Sequence, residues 1–247
     1  MAPYAFTYLE RLAARDSVIA TLQEWPWAFP DLQGRGLEVV RVGDHAVLLY
    51  SRDLVLGDHG PDASGRATIA RFRVRSGAEI TAVGLHWHSR DSQSGVGDPC
   101  ERGGAMALFR HHLEGRLRTP AVVMGDFNAS PEQHEREMCS KYCLFALTKR
   151  HRLTSGMETV MGQDKRAWVL VEPAKPANAS TYFWAHTQGW SDLDHVILTP
   201  DLASRLEGAE VLTHMEGHEF LTEEKQVPRG RALASDHLPV VCRIHYQ

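Results

Sequence analysis

The sequence predicts an α/β fold in which sheets pack on each other and helices lie outside them. Short runs rich in Val, Ile and Leu recur along the 247 residues, and stretches with helical spacing occur between some of them, without a strict alternation of strand and helix. Hydrophobic residues make up 43% of the chain, which allows a sizeable core. No repeat or linker divides the sequence, so we expect residues 1–247 to form a single domain.

The elements follow in order from the N-terminus. Residues 4–15 predict a short helix, because Pro3 suits a first helical turn and apolar residues recur on one face. Two later stretches, 101–116 and 131–147, also have helical spacing. Apolar runs predict strands at 17–22, 37–42, 46–51, 67–74, 79–87, 121–126, 179–184, 193–199 and 238–245.

Composition narrows the classes of function. The formal net charge of −4 argues against binding nucleic acid through bulk positive charge, although it leaves room for a local basic groove. No apolar run approaches the roughly 18 residues that a membrane-spanning helix needs, and charges appear too early for a secretory signal. The four cysteines form no C-x-x-C pair, so neither a zinc ribbon nor a disulfide framework is indicated. We therefore expect a cytoplasmic protein without a membrane partner.

Four predicted strands begin or end at acidic, amide or histidine residues. Acids rarely lie beside continuous apolar runs unless something compensates their loss of hydration. A divalent cation with oxygen ligands would do so, and Mg²⁺ or Mn²⁺ suits carboxylates and amides better than zinc. In "GLHWHS", His86 and His88 lie on the same side of a strand, because side chains alternate with a period of two. The residues at the four strand ends are Glu24, Asp126, Asn128, Asp194, Asp236 and His237.

Each of these residues also has a simpler explanation by itself. Gly125-Asp126 followed by Ser130 and a proline fits an ordinary turn, since Asp and Asn side chains hydrogen-bond the local backbone. Asp236 can cap the turn that enters the last strand, and Glu24 alone fits a solvated surface acid. It is the combination, in this order along the chain, that favours a functional site.

This combination resembles a known family. "LQE", "GDFN", "LDHVIL" and "SDHLPV" occur in the order typical of the endonuclease/exonuclease/phosphatase superfamily, over residues 18–244. The resemblance implies a four-layer α/β/β/α sandwich with two packed, mainly antiparallel sheets. It also implies a Mg²⁺-dependent phosphoesterase, a nuclease or other phosphodiesterase rather than a lipid phosphatase, which hydrolyses a P–O bond by in-line attack of an activated water. The substrate would be a phosphoester, with nucleic acid as one candidate.

The resemblance also implies a catalytic role for five of these residues. Asp126 would orient or deprotonate the attacking water, and Asn128 would hold that water and a phosphate oxygen. His237 would contact the scissile phosphate while Asp194 orients its ring. His86 would reach the same phosphate from its strand.

The implied metal site lacks one element of the family pattern. Glu24 matches the acid that binds the divalent metal, and Asp236 matches the neighbouring acid that completes the metal environment. Members usually open with a strand ending in W-N-x-N, whose Asn touches the metal site, and Glu24 lies too near Met1 for that strand to be present. We expect that the sequence starts too late, at an internal Met of a longer reading frame, and the alternative is that the protein lacks this strand.

Alternatives remain open at this stage. "HWHSRD" is similar to the H-x-H-x-D motif of metallo-β-lactamase-like hydrolases, but Arg90 occupies the place of the Asp, which disfavours a zinc site. The Gly-rich stretch 89–104 predicts a loop beside the site that can clamp substrate. Phe183, Trp184 and Trp190 either stack on substrate or pack in the core. A different class of function, an interaction module with an incomplete site, is the alternative to an enzyme.

Overall fold

The structure of the chain is a computed structural model that describes the following parts of it. The described residues are 3–23, 32, 35–42, 45–62, 64–87, 120–130, 148–152, 168–177, 179–184, 189–221 and 237–246. The predicted helices 101–116 and 131–147, the predicted loop 89–104, Glu24, His88 and Asp236 lie outside the described residues.

Strands make up most of the described chain. Its two helices are α1 (Pro3–Ala13) and α2 (Pro200–Ala203). Its strands are β1 (Ile19–Gln23), β2 (Leu37–Val40), β3 (Ala46–Ser51), β4 (Val55–Pro61), β5 (Ala67–Arg73), β6 (Glu79–His86), β7 (Ala121–Asp126), β8 (Thr148–Arg152), β9 (Trp168–Glu172), β10 (Tyr182–Trp184), β11 (Gly189–Ser191), β12 (Asp194–Leu198), β13 (Leu206–Val211), β14 (His214–Met215), β15 (His218–Glu219) and β16 (Val240–Ile244).

The largest sheet has seven strands in the order β4-β5-β6-β7-β12-β9-β8. Its neighbours pair antiparallel, except that β6 runs parallel to β7 and β8 runs parallel to β9. Strand β6 therefore ends at the same edge as β7, and β12 begins there. This edge gathers the ends of three central strands, and it is the edge at which the sequence places its polar residues.

Smaller sheets pack against one face of the large sheet. The three-stranded sheet β1-β3-β2 lies with β1 against β6 and β7 and with β3 against β5 and β6. The pair β13-β16 lies with β16 against β12. Gly84 in β6 permits this close approach, because a Cβ there would lie 2.6 Å from the Thr21 side-chain oxygen of β1. The predicted fold class, an α/β sandwich of packed sheets, is confirmed.

Apolar side chains fill both faces of the large sheet, which explains why its central strands read as almost continuous hydrophobic runs. The cluster between the sheets includes Leu48, Tyr50, Phe72 and Leu198. The cluster on the opposite face is built from Leu85, Trp87, Val123, Phe127 and Ile197 together with smaller side chains. No helix among the described residues is long and apolar enough to cross a membrane.

Seven strands of the structure are absent from the predicted set, and three of them, β11, β14 and β15, are only two or three residues long. Strand β4 (VLGDHGP) is mostly exposed, and its register shifts between Leu56 and His59. Its sequence therefore shows no alternation of apolar and polar residues by which a strand could be predicted. Strand β13 (LEGAEV) has a similar shift between Leu206 and Gly208. Strand β8 reads TKRHR and is polar, whereas β9 reads WVLVE and carries an ordinary apolar run. The predicted strand 179–184 is correct only over its last three residues, because β10 begins at Tyr182.

Candidate active site

Three of the proposed catalytic residues lie side by side across adjacent strands. His86 is paired with Asp126 in the parallel register of β6 and β7, and Asp194 is paired with Asp126 in the antiparallel register of β7 and β12. His237 joins them through an isolated β-bridge to Tyr182. The structure thus brings together four residues that are far apart in sequence. We call Asp126, His86, His237 and Asp194 the strand-end cluster.

Gly125 controls how β7 approaches this edge. Its φ is +139°, and a Cβ at this position would lie 2.0 Å from the carbonyl oxygen of Leu85 in β6. A side chain cannot be accommodated at such a distance without moving one of the two strands. The same gap admits Gln23 at the end of β1, whose Nε2 donates to the Leu85 carbonyl at 3.5 Å. The glycine of "GDFN" therefore sets the spacing of the strands that carry His86 and Asp126.

Asp126 and Asn128 form a tight turn directly after β7. The Asn128 backbone N–H donates to Asp126 Oδ1 at 2.7 Å, and Asn128 has a positive φ of 51°, which Asn tolerates better than most residues. The Asn128 side-chain amide donates to the Trp87 carbonyl at 2.8 Å and to Asp126 Oδ2 at 3.1 Å. The simple explanation as a turn is therefore correct in that Asn128 donates to both carboxylate oxygens, while Oδ2 also faces the histidines.

The Asp126 carboxylate lies between two imidazole rings without touching either. Its Oδ2 is 3.8 Å from His86 Nε2 and 3.9 Å from His237 Nε2. These distances exceed those of a hydrogen bond, so the two ring nitrogens and Oδ2 face one another without a direct hydrogen bond between them. On its other side, the His237 ring contacts Asp194 through Nδ1 and Oδ2 at 2.8 Å, which is a hydrogen bond.

Thr181 holds Asp194 in place. Its hydroxyl oxygen accepts hydrogen bonds from the backbone N–H groups of Leu193 and Asp194, both at 3.0 Å. The Thr181 carbonyl accepts from the N–H of Leu238 at 2.7 Å, which fixes the residue after His237. One buried threonine therefore fixes the backbone on both sides of the His237–Asp194 hydrogen bond, although the sequence analysis did not single it out.

His86 is the most buried histidine of the strand-end cluster, with 12% of its side chain exposed. Burial lowers the pKa of His86 to about 4, and the charges of Arg66, His45 and His237 act in the same direction. A hydrogen bond to the His45 backbone acts in the opposite direction but is the smallest of these effects. His86 is therefore neutral near neutral pH, so it meets an anion as a hydrogen-bonding group and not as a cation.

The family can now be assigned. The sequence matches the model of the Endonuclease/Exonuclease/phosphatase family over residues 6–237, which is almost the whole chain. The chain belongs to the endonuclease/exonuclease/phosphatase family. Members of this family are hydrolases that act on phosphoester bonds.

Solved structures of this family have the same fold. The endonuclease domain of TRAS1, a telomere-specific non-LTR retrotransposon, is 17% identical, with a TM-score of 0.59 over 99% of this chain and 93% of that chain. A 3′ phosphatase from Neisseria, bound to a product DNA hairpin, is 17% identical, with a TM-score of 0.54 over 99% and 95%. A mannosyl-6-phosphatase from Bacteroides thetaiotaomicron VPI-5482 is 18% identical, with a TM-score of 0.51 over 85% and 78%. At these identities the likeness shows the fold alone, and no protein with a curated description matches by sequence.

The metal ligands expected for a member of this family are not among the described residues. Glu24 follows directly after β1 and Asp236 directly precedes His237, but neither is described. Within the described part of the chain, no group of three or more His, Cys, Asp or Glu residues is arranged to hold a metal ion. A divalent ion at this edge would therefore need ligands from outside the described part, and Glu24 and Asp236 offer carboxylates of the appropriate chemistry.

His195, the residue after Asp194 in the family motif "LDH", is missing from the predicted site. It is fully buried on the opposite side of β12, and its Nε2 lies 3.0 Å from the Ala129 carbonyl and 3.2 Å from the Asp192 carbonyl. Phe127 packs against its ring edge-on at 5.5 Å. Since a ring N–H can donate to both carbonyls, His195 ties the turn that carries Asp126 and Asn128 to the segment that carries Asp194.

The aromatic residues before β12 are divided between core and site. Phe183 is buried and packs on Trp190 with ring centroids 5.1 Å apart, so Phe183 belongs to the core. The Trp184 side chain lies outside the described residues. Tyr182, which the sequence analysis did not single out, packs on the His237 ring at 4.6 Å. The alternation of side chains along β10 explains this division, because Tyr182 and Phe183 point to opposite faces.

Proposed function

We propose that this chain is a divalent-metal-dependent phosphodiesterase that hydrolyses its substrate at the strand-end cluster. The observation that supports this best is the arrangement around Asp126, whose carboxylate faces His86 and His237 at 3.8 and 3.9 Å. Asp194 accepts the Nδ1–H of His237, so the Nε2 of that ring is turned towards the same space. A base, a fixed histidine and a neutral hydrogen-bonding histidine are the groups that water attack on a phosphate requires.

In the proposed reaction, Asp126 accepts a proton from a water molecule whose oxygen attacks phosphorus. The P–O bond to the leaving group breaks in line with the bond that forms. Asn128 fixes the Asp126 carboxylate through its backbone N–H and its side-chain amide. His237 meets the anionic phosphate through Nε2, and the Asp194 carboxylate stabilises positive charge on that ring. The turn and the sheet hold these groups before substrate arrives, which lowers the entropic part of the barrier.

We further propose that Glu24 and Asp236 bind the metal, with Mg²⁺ as the ion and Mn²⁺ as a substitute. When bound, such an ion would neutralise phosphate charge and stabilise the charge that develops on the oxygens during in-line displacement. Oxygen ligands favour these ions over zinc.

DNA is the first substrate to test, because the similar structures include an endonuclease domain and a phosphatase bound to a DNA hairpin. The same fold also serves a mannosyl-6-phosphatase, so small phosphoesters belong in the same screen. A cytoplasmic location and the absence of a membrane partner stay predictions.

The test is hydrolysis of bis(p-nitrophenyl) phosphate with increasing Mg²⁺, by the wild-type chain and by His237→Gln. The matched control is His59→Gln, which changes an exposed histidine of β4. We expect metal-dependent turnover that falls about 10²-fold or more in His237→Gln and stays within about twofold in the control, since an acid–base or phosphate-contacting group typically contributes that much. Equal turnover in the two variants would contradict the site, and no turnover by folded wild-type protein would favour an interaction module.

A further inference from the structure

A second group of basic side chains adjoins the strand-end cluster beyond His86. His45 directly precedes β3, and Arg66 directly precedes β5. Because β5 runs antiparallel to β6, the start of β5 meets the end of β6, where the His86 N–H donates to the Arg66 carbonyl at 3.1 Å. The rings of His45 and His86 have centroids 6.2 Å apart. Arg66, His45, His86 and Asp126 therefore form a continuous line along one edge of the molecule.

Arg66 carries a positive charge that no described carboxylate pairs with. Its Nη1 lies 3.3 Å from His45 Nδ1, to which it can only donate. Asp62 is the acid whose charge acts on Arg66, but its two oxygens accept from the backbone N–H groups of Ala67 and Ser64 at 2.8 and 3.0 Å. Arg66 is thus a half-buried cation beside the His45 ring, with its charge available to a ligand.

Guanidinium groups bind phosphate well because their planar N–H fork matches two phosphate oxygens. Partial burial strengthens such a contact, since less water competes for either charge. A phosphate bound between Asp126 and His237 would have His86 beside it. His45 and Arg66 would follow His86 in the same direction. In a nucleic acid strand, phosphates follow each other closely enough for one chain to occupy both places.

We propose that Arg66, oriented by His45, binds a second phosphate of the substrate, adjacent to the phosphate that is hydrolysed. This rests on the proposed function for the position of the first phosphate. It specifies the substrate as a compound with at least two phosphate groups. An oligonucleotide and a nucleoside bisphosphate both satisfy that chemistry, and the experiment separates them.

The primary test is binding without turnover. A short fluorescein-labelled single-stranded DNA is titrated with protein in EDTA, and its fluorescence anisotropy gives Kd for the wild type, Arg66→Gln and Arg73→Gln. Arg73 is an exposed arginine at the other end of β5, so the control removes the same charge about 20 Å away. We expect Kd to rise about tenfold or more in Arg66→Gln, as for a lost hydrogen bond between charged groups, and less than about twofold in Arg73→Gln.

Arg66→Lys keeps the charge without the planar fork and serves as the second variant if Arg66→Gln does not fold. We expect Arg66→Lys to bind the DNA between the wild type and Arg66→Gln. Equal Kd values for the Arg66 variants and Arg73→Gln would overturn the proposal, as would a wild-type chain that binds neither this DNA nor adenosine 3′,5′-bisphosphate.

Competition identifies the source of the second phosphate. Displacement of the DNA by adenosine 3′,5′-bisphosphate, weakened by Arg66→Gln, would assign the site to a small bisphosphate. An Arg66 effect on DNA alone would assign it to a polynucleotide strand, and a neutral methylphosphonate next to the cleaved linkage should then weaken the wild type but not Arg66→Gln. Arg66-dependent binding without Mg²⁺-dependent hydrolysis of any substrate would overturn the proposed function and leave the phosphate site standing.

Discussion

Two clusters of charged side chains in this molecule differ in how their charges are balanced. In the first, Arg11 of α1 contacts Glu216 in the turn between β14 and β15, and Arg243 of β16 lies 3.8 Å from Glu210 of β13, with both arginines about two-thirds exposed. We call these four residues the paired surface cluster. In the strand-end cluster, the Asp126 side chain is only 5% exposed, and its Oδ2 lies 3.8 Å from His86 Nε2 and 3.9 Å from His237 Nε2.

The difference shows what burial does to a charge. An ion pair between an exposed arginine and a carboxylate typically stabilises the folded state by less than about 1 kcal/mol, because water already solvates both groups. A buried carboxylate loses that hydration, so its position has to be maintained by turn and sheet hydrogen bonds. Asn128 supplies one to each oxygen of Asp126, from its backbone N–H to Oδ1 and from its side-chain amide to Oδ2, and Oδ2 also faces the histidines. Under the proposed function the strand-end cluster binds a ligand, whereas each arginine of the paired surface cluster already lies beside a carboxylate.

Asp126→Asn should lower kcat more than any other substitution in the strand-end cluster. The substitution keeps an oxygen for the Asn128 N–H but removes the negative charge and the base. We expect kcat for bis(p-nitrophenyl) phosphate to fall about 10²- to 10⁴-fold, with the thermal unfolding midpoint nearly unchanged. Glu210→Gln makes the same chemical change in the paired surface cluster and should leave kcat within about twofold. Equal kcat in the two variants would remove Asp126 from the reaction.

Asp194→Asn should give a smaller loss, because it disturbs His237 without removing a reacting group. A hydrogen bond to a charged group contributes about 1.5–3 kcal/mol, which corresponds to a fall in kcat/KM of about 10- to 150-fold. The chain offers a close control in Glu207→Gln, since Glu207 lies 3.4 Å from His245 Nδ1 and both side chains are 60% exposed. The measurement is kcat/KM for both variants, and a similar loss in both would contradict the orienting role of Asp194.

The smallest expected effect is on the free energy of unfolding, which should depend on pH through the buried ring of His86. The folded-state pKa of His86 is about 4, below the ordinary 6.5, so the unfolded chain takes up a proton at this ring first as the pH falls. The contribution of the neutral His86 ring to the free energy of unfolding is therefore complete above pH 6.5, and it is lost as the pH falls through 4. It amounts to about 3 kcal/mol at most.

Urea unfolding in EDTA from neutral pH to about pH 4.5 measures this effect. His86→Gln removes the titrating ring, so its free energy of unfolding should decrease less over this range than that of the wild type. His59→Gln, which removes an exposed ring, should follow the wild type. Parallel curves for wild type and His86→Gln would show that His86 is not buried as a neutral ring.

Much of the strand-end cluster could be predicted because each member stands at a strand end within a short motif. The resemblance of the motifs and of their order to the family implied that Asp126, Asp194, His86 and His237 share one site. The structure brings these four together, while their catalytic roles stay proposals. Glu24 and Asp236, which lie outside the described residues, stay predictions as metal ligands.

Other features could not be predicted because they depend on contacts between distant parts of the chain. Thr181 orients Asp194 through hydrogen bonds that no local pattern signals. His45 and Arg66 meet only because β3 and β5 start at the same edge. His195 is a partial exception, since strand alternation already places it opposite Asp194 and therefore towards the interior.

Gly125 makes one position of the chain intolerant of any mutation. Asp126 can be exchanged for Asn with its shape preserved, but every substitution at Gly125 puts a carbon atom where the Leu85 carbonyl oxygen already lies. Relief requires β6 and β7 to separate, and these strands carry His86 and Asp126. Under the proposed function, a single methyl group, as in Gly125→Ala, would therefore lower turnover without removing any reacting group, by widening the gap between His86 and Asp126.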